Sequence, residues 1–351
     1  MIIYFLVFTL AVIWAGIINK SRFCTMGALS DLFTFGSTNR LNMYLIAVST
    51  AIIGTQILIY LKLFNIEHSP YYMAQIPWFS HLLGGVLFGI GMFLASGCPT
   101  QQCVNLGNGN LKSLIVIILV SISAQITFSG VLSSFRIFLQ NLSYFNFKYI
   151  HIKPVLGIIL GLIVFIILSI IILKNKINTK LQKFNIIFYG IATGLIVFVM
   201  WYIAGHLAFI AQDENTLDYA YIGNPSRIIQ TLSMILPITS LFDWLMYSSD
   251  SMRLINLNIM LIFGLIFGSI LMQILNNKNK VNAFYIQVFK NSNDLIQHLV
   301  GSILMGVGGA LAFGCSIGQG LSAISFLNLG SLFSILGMYV GGKIAYKIME
   351  I

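Results

Sequence analysis

One apolar segment occurs twice in this chain, and each copy ends in a cysteine. Residues 81–102 read HLLGGVLFGIGMFLASGCPTQQ, and residues 298–319 read HLVGSILMGVGGALAFGCSIGQ. Aligned without a gap, the copies are identical at 11 of 22 positions, including the pairs Cys98/Cys315 and Gln102/Gln319. An internal duplication in a very apolar chain is typical of transporters built from two related halves around a central path. We therefore expect the two equivalent cysteines to face such a path.

The composition predicts an all-α integral membrane protein. Of 351 residues, 58% are hydrophobic and 8% are charged, and the mean hydropathy is +0.92. A soluble domain of this size cannot bury so much apolar surface. We expect about nine transmembrane helices plus several re-entrant half-helices. Long apolar runs lie near residues 2–18, 43–64, 112–139, 154–173, 185–210, 254–275 and 321–348, and shorter or interrupted ones lie at 81–97, 228–247 and 296–313.

The duplication predicts a single membrane domain with two pseudo-symmetric halves. Half one covers about 1–150, half two covers about 185–351, and a linking helix and basic loop lie between them at about 151–184. The basic loop marks the cytoplasmic face, because cytoplasmic loops of membrane proteins are rich in lysine and arginine. This rule also accounts for the net charge of +10, so we expect no nucleic-acid partner. The densest cluster is Lys174, Lys176, Lys180 and Lys183, and the polar stretch 212–227 is expected on the opposite face.

Both copies stop at a Gly-Cys pair, which predicts a turn inside the membrane. Pro99 cannot continue an incoming helix but suits the first turn of a new one. We expect Gly97 and Gly314 to allow a tight or left-handed turn. Irregular backbone at membrane depth persists only where it is buried in protein or lines a polar cavity. The pattern therefore indicates two re-entrant hairpins, each with a cysteine at the start of a short helix.

The start of a helix suits an anion. Its free N–H groups carry partial positive charge, and they also make a thiol more reactive. Gln102 and Gln319 lie one helical turn further on and are candidate hydrogen-bond donors. The glycines ahead of each cysteine are interpreted as sites of close helix packing rather than as ligands. They are Gly84, Gly89, Gly91, Gly301, Gly306 and Gly308.

A third cysteine completes the pattern on which a family resemblance rests. Residues 19–31 contain Arg22, Cys24 and Asp31 in the order Arg-Phe-Cys-x₂-Gly-Ala-x₂-Asp. With Ser-Gly-Cys98 and Gly-Cys315-Ser-x-Gly-x-Gly-Leu-Ser, this order resembles the YeeE/YedE sulfur-transport family. The resemblance implies an hourglass-shaped bacterial inner-membrane protein that imports thiosulfate past three essential cysteines. Matched residue by residue, these cysteines are Cys24, Cys98 and Cys315.

The resemblance also implies a partner and a mechanism. The partner is a TusA-like sulfurtransferase at the cytoplasmic side, and no such domain occurs within this chain. We expect protonated thiols to relay the anion by weak hydrogen bonds, because a thiolate would repel a dianion. Arg22 is expected to attract the anion at the entrance of the path or to pair with Asp31. No cofactor and no metal site are expected, since the cysteines and histidines lack metal-ligand spacing.

Two alternatives to thiosulfate transport stay open at this stage. The cargo could be another sulfur or selenium species, since Pro-Thr-Gln-Gln after Cys98 leans toward the YedE-like branch. A membrane thiol oxidoreductase or sulfurtransferase using Cys98 and Cys103 is the other, although C-x₄-C is not a familiar redox motif. The sequence assigns no role to Cys103, for which a packed core position is the simpler interpretation, or to Asp243.

Overall fold

The computed structural model describes residues 1–351 except 64, 73–74, 145–153, 175–178, 211–218, 223–227, 250–254, 277–288, 290 and 351. Lys176 and most of the polar stretch 212–227 therefore lie outside the described residues. Half one contains α1 (Ile2–Ser21), α2 (Thr25–Phe35), α3 (Asn39–Tyr60), α4 (Trp78–Leu94), α5 (Pro99–Gly107), α6 (Leu111–Phe128) and α7 (Ser133–Leu142). The remainder contains α8 (Pro154–Lys174), α9 (Lys180–Tyr202), α10 (Ile235–Met246), α11 (Leu257–Asn276), α12 (Ser292–Leu311) and α13 (Leu329–Glu350). Shorter elements are a 3₁₀ turn (Ile66–His68), π-helical turns (Ile203–Leu207 and Gly318–Ala323) and the antiparallel pair β1 (Phe209–Ile210) and β2 (Ala220–Tyr221).

The protein is an all-α, multi-pass membrane protein. Among the described residues, eight helical segments are long and apolar enough to cross a bilayer. About nine were expected. The apolar run at 321–348 includes the end of the buried turn Gly318–Ala323 and most of α13. The helix α13 carries Lys343 and Lys347 in its second half and is not among the eight segments. The eight are Ile2–Phe35, Asn39–Tyr60, Trp78–Gly107, Leu111–Phe128, Pro154–Lys174, Lys180–Leu207, Leu257–Leu275 and Ser292–Leu311.

Glycine contacts give the relative directions of the long helices. Gly194 of α9 faces Thr50 of α3, and Phe198 of α9 lies against Gly54, so α3 and α9 run parallel. Gly157 and Gly161 of α8 instead face Gln56 and Ile53 in that order, so α8 runs antiparallel to α3. Lys174 at the end of α8 therefore lies at the same face as the start of α3.

The repeated segments pack against each other through their own glycines. A β-carbon on Gly84 of α4 would approach the backbone oxygen of Gly308 on α12 to 2.7 Å, and one on Gly91 would approach that of Gly301 to 2.6 Å. The helices α4 and α12 are thus antiparallel and cross with their backbones in contact, as small residues permit in membrane proteins. The predicted packing role of these glycines is confirmed. The division into two related halves stays a prediction.

Candidate substrate path

The two Gly-Cys turns have the same local structure. Each helix ends with a bond from a glycine N–H to a carbonyl five residues earlier, Gly97 to Met92 and Gly314 to Gly309, both at 2.9 Å. The residue before each glycine lies in the left-handed region, with φ of 55° at Ser96 and 56° at Phe313. This is a Schellman ending.

The tight turn expected at Gly97 and Gly314 is present, and its left-handed residue is the one before each glycine. Gly97 has a φ of 159°, close to extended backbone, and it is Ser96 and Phe313 that adopt the left-handed conformation. The glycines follow the turn and lead directly into the cysteines.

Each cysteine of the repeat stands at the start of a helix, as predicted. Cys98 is the N-cap of α5, with Pro99 at its first position. Cys315 precedes the helical turn that continues into Gly318–Ala323, and it accepts a hydrogen bond from the Gly318 N–H at 3.3 Å. Both side chains are buried, with exposures of 2% and 0%.

The two glutamines stabilise the turns. The side-chain amide of Gln102 donates to the Ala95 carbonyl at 2.7 Å, and that of Gln319 donates to the Ala312 carbonyl at 2.6 Å. Each bond spans seven residues and joins the new helix to the end of the preceding one. The amide N–H groups are thus used within the protein, and a direct contact of Gln102 or Gln319 with an anion stays a prediction.

Cys24 lies beside the first of these two turns. It is the N-cap of α2, a helix that the sequence analysis did not anticipate, and its thiol lies next to that of Cys98. Cys98 in turn lies within electrostatic range of Cys315. The structure therefore brings the three predicted cysteines together, in the order Cys24, Cys98, Cys315, with a helix beginning at each.

Two tyrosines that the sequence analysis missed lie beside these thiols. Tyr44 of α3 donates a hydrogen bond to the backbone oxygen of Ser316 at 3.1 Å and is in electrostatic range of Cys98 and Cys315. Tyr71 is near Cys315, and its hydroxyl bonds that of Thr231 at 3.1 Å. Tyr44 lies in an apolar run and Tyr71 in a polar loop, and neither belongs to a motif, so only the three-dimensional structure identifies them.

Two cavities lie at opposite ends of α3, a helix of 22 residues that rises about 33 Å at 1.5 Å per residue. The Arg22 cavity, of about 380 Å³, lies at the start of α3 and includes Cys24 in its wall. The Lys62 cavity, of about 570 Å³, lies beyond the end of α3 and is lined in part by Tyr72 and His206. The cysteines lie between a cavity at each face.

Arg22 and Cys103 differ in their suitability for contact with an anion. Arg22 is exposed in the wall of the Arg22 cavity, next to Cys24. The expected ion pair between Arg22 and Asp31 is not formed, because Asp31 instead pairs with Arg40 at 3.2 Å. Cys103 is within electrostatic range of Cys315 but is fully buried in the interior of α5 rather than at the start of a helix, which fits a packed core position.

Similarities to known proteins agree with this geometry. The profile of the sulphur-transport family matches residues 20–344. The thiosulfate transporter TsuA of Escherichia coli (strain K12) is 24% identical over 344 residues, which cover 94% of this chain and 91% of that protein. The thiosulfate transporter TsuA of Spirochaeta thermophila is 24% identical over 349 residues, covering 94% and 96%.

These matches decide between the classes left open by the sequence. The alternative class was a membrane thiol oxidoreductase or sulfurtransferase that uses Cys98 and Cys103. The matching family and the named relatives are transporters. This chain belongs to the sulphur-transport family and is a multi-pass membrane transporter of sulfur compounds.

Proposed function

We propose that this protein imports thiosulfate across the bacterial inner membrane, and that Cys24, Cys98 and Cys315 relay the anion by hydrogen bonding. The observation that carries the proposal is the grouping of three thiols, each at the start of a helix, between two cavities at opposite faces. The names of the two TsuA relatives support thiosulfate as the cargo.

The chemistry of the three positions suits a small dianion with one soft sulfur. Helix starts supply N–H groups and partial positive charge, which offset the charge of the anion without a fixed counter-ion. A neutral thiol adds a weak S–H donor, so each position holds the anion loosely. Weak, successive binding is what passage through a narrow path requires, because a tight site would trap the ion.

The basic loop gives the orientation of the path in the membrane, and import then sets which cavity is the entrance. Lys174 and Lys180 lie at the face where α3 starts, and positively charged loops mark the cytoplasmic side. The Arg22 cavity is then the cytoplasmic exit, and the Lys62 cavity is the outer entrance. Arg22 lies at the exit in this arrangement, rather than at the entrance as first expected. A TusA-like sulfurtransferase, which the family resemblance implies, would receive the anion there.

The test is uptake of radiolabelled thiosulfate into liposomes containing the purified protein. Single Cys→Ala exchanges at positions 24, 98 and 315 are expected to lower uptake about tenfold each, since one hydrogen bond to a charged group is lost. Cys103→Ala is the matched control, because it removes a buried thiol that lies within α5 and not at the start of a helix. Unchanged uptake by all three path variants would rule out the relay.

Competition of thiosulfate uptake by sulfite, sulfate and selenite separates thiosulfate from other sulfur or selenium species as the cargo. Uptake measured with and without a proton gradient tests the driving force.

A further inference from the structure

The segment that precedes α10 brings polar groups to the thiol of Cys315. The Met234 N–H donates to Cys315 Sγ at 3.2 Å, and Ser233 Oγ lies 3.8 Å from the same sulfur. The Gly318 N–H donates to it from the other side at 3.3 Å. Ser233 is only 2% exposed, so its hydroxyl is withdrawn from solvent and lipid in the described structure. Two N–H donors and one hydroxyl therefore contact the sulfur of Cys315.

This segment is held in place by bonds to other elements. Ser322 donates to the Leu232 carbonyl at 2.9 Å, and Thr231 bonds the Tyr71 hydroxyl at 3.1 Å. Residues 229–234 are all buried. Ser233 is thus presented on a fixed backbone, as a pre-organised binding group requires.

The packing of α10 matches that of α2. The α4–α12 contacts are reciprocal, because Gly84 faces Gly308 while their repeat partners Gly301 and Gly91 face each other. If α4 and α12 are counterparts, the helices that pack against them are counterparts too, namely α13 against α4 and α6 against α12. In the same way α3, which packs against α9, is the counterpart of α11, which packs against α1. The helix α2 packs against α3 and α13, and α10 packs against α11 and α6. By this exchange, α10 is the counterpart of α2.

The N-terminal ends of these two helices meet the two repeated cysteines. Cys24 is the N-cap of α2 and lies next to Cys98, while Met234 is the N-cap of α10 and contacts Cys315. The position next to the cysteine therefore carries a thiol in one case and a serine hydroxyl with a backbone N–H in the other. The two positions therefore differ in chemistry, and also in local backbone, because Cys24 is extended whereas Met234 lies near the helical region.

We propose that Ser233 is a fourth substrate-path residue. Its hydroxyl binds an oxygen atom of the transported oxyanion beside Cys315, whose sulfur is held by the N–H groups of Met234 and Gly318, and the Cys24–Cys98 pair binds the soft sulfur. A hydroxyl is a stronger hydrogen-bond donor than a thiol and suits oxygen acceptors. This inference rests on the proposed function, and it assigns oxygen selectivity to one end of the cysteine path.

Transport kinetics in liposomes test this assignment. Ser233→Ala is expected to raise KM for thiosulfate about tenfold, the loss of one hydrogen bond to a charged group, while Vmax changes little. Inhibition by sulfate is expected to weaken further than thiosulfate binding, because sulfate has no sulfur terminus for the cysteine pair. Ser233→Cys keeps a similar size with a softer donor, so it should recover thiosulfate transport more than sulfate inhibition. Ser302→Ala is the matched control, since that serine is fully buried in α12 and bonds its own helix at His298.

The outcomes separate the two proposals. If wild-type protein prefers another oxyanion to thiosulfate, the proposed cargo is wrong, and Ser233→Ala must still raise KM for the preferred anion. If none of thiosulfate, sulfite, sulfate and selenite is transported, both proposals fail. A KM for Ser233→Ala within twofold of wild type, or an equal effect of Ser302→Ala, would overturn the role of Ser233 alone.

Discussion

Gly84 and Gly308 meet where α4 crosses α12, each with its missing side chain directed at the backbone of the other. A β-carbon on Gly308 would lie 2.6 Å from the Gly84 oxygen, and one on Gly84 would lie 2.6 Å from the Ala312 nitrogen. Neither approach can be relieved by rotating a side chain, because the opposing atoms belong to the backbone. The crossing holds the two Gly-Cys turns at fixed positions.

We predict that Gly308→Ala lowers the free energy of unfolding by about 1–3 kcal/mol, the usual cost of overpacking a core. The helices must separate by a few tenths of an ångström or more to admit the methyl group. Thermal unfolding of the detergent-solubilised protein measures this loss.

Gly16→Ala is the control for that substitution. A β-carbon there would meet only the flexible Met272 side chain, with its nearest atom at 3.6 Å. We expect no loss of stability, since alanine favours the helix more than glycine does. An equal loss of stability in Gly308→Ala and Gly16→Ala would mean that the loss does not come from the close approach of the α4 and α12 backbones.

We predict that Gly320→Ala abolishes transport by displacing Tyr44. The new β-carbon would collide with the Tyr44 hydroxyl, which bonds the Ser316 carbonyl next to Cys315. The next atom of the ring, Cζ, lies 3.0 Å away, so removing the hydroxyl relieves most of the collision. Tyr44→Phe alone is expected to cost about 1 kcal/mol, one hydrogen bond.

The double variant provides the decisive measurement. Gly320→Ala with Tyr44→Phe should transport better than Gly320→Ala alone, so that the two effects are strongly non-additive. Uptake in liposomes and thermal stability are both measured for the four proteins of the cycle. Additive losses would mean that Tyr44 and Gly320 do not act through each other.

The sequence was sufficient where the relevant interactions are local. A glycine-rich apolar run, a Gly-Cys pair and Pro99 predict a helix, a turn and a new helix, and the structure has these elements at both copies. Which residue of each turn is left-handed could not be predicted, because Ser96 and Phe313 adopt that conformation where glycine is the usual residue.

Contacts between distant segments could not be predicted. Two contacts depend on how separate helices pack: Ser233 approaches Cys315, and Arg40 pairs with Asp31. Ser233 lies in no copy of the duplicated segment. Only the reciprocal packing of α2 and α10 makes it the counterpart of a path cysteine.

The region around His68, outside the membrane-spanning segments, is predicted to loosen in acid. His68 bonds the Tyr221 hydroxyl at 2.7 Å and stacks on Tyr219 with ring centroids 4.1 Å apart. Burial lowers the pKa of His68 from its ordinary 6.5, because the charged imidazolium is poorly solvated there. Folding therefore favours neutral His68, and its contribution to stability is complete above pH 6.5 and is lost as the pH falls below it.

Hydrogen exchange tests this pH dependence. Amides of residues 66–69 and 219–222 should exchange faster at about pH 5.5 than at about pH 7.5, after correction for intrinsic rates. In His68→Gln, which cannot be protonated, the corrected exchange should be the same at both values. A pH effect that persists in His68→Gln would assign it to another group.

Arg22 is predicted to act on the anion by long-range attraction at the cytoplasmic exit, whereas Arg40 has a structural role. Both arginines line the Arg22 cavity, but the charge of Arg40 is balanced by its ion pair with Asp31, whereas Arg22 is exposed beside Cys24. In inside-out vesicles, Arg22→Gln should raise KM for thiosulfate several-fold at low salt, because one unscreened charge is lost. The difference from wild type should shrink at about 0.5 M salt, where charges are screened within a few ångströms.

Arg40→Gln is the control. It should lower thermal stability, by about 1 kcal/mol or less for a partly exposed pair, and leave the salt dependence unchanged. A salt-independent effect of Arg22→Gln would mean that Arg22 shapes the cavity rather than attracting the anion.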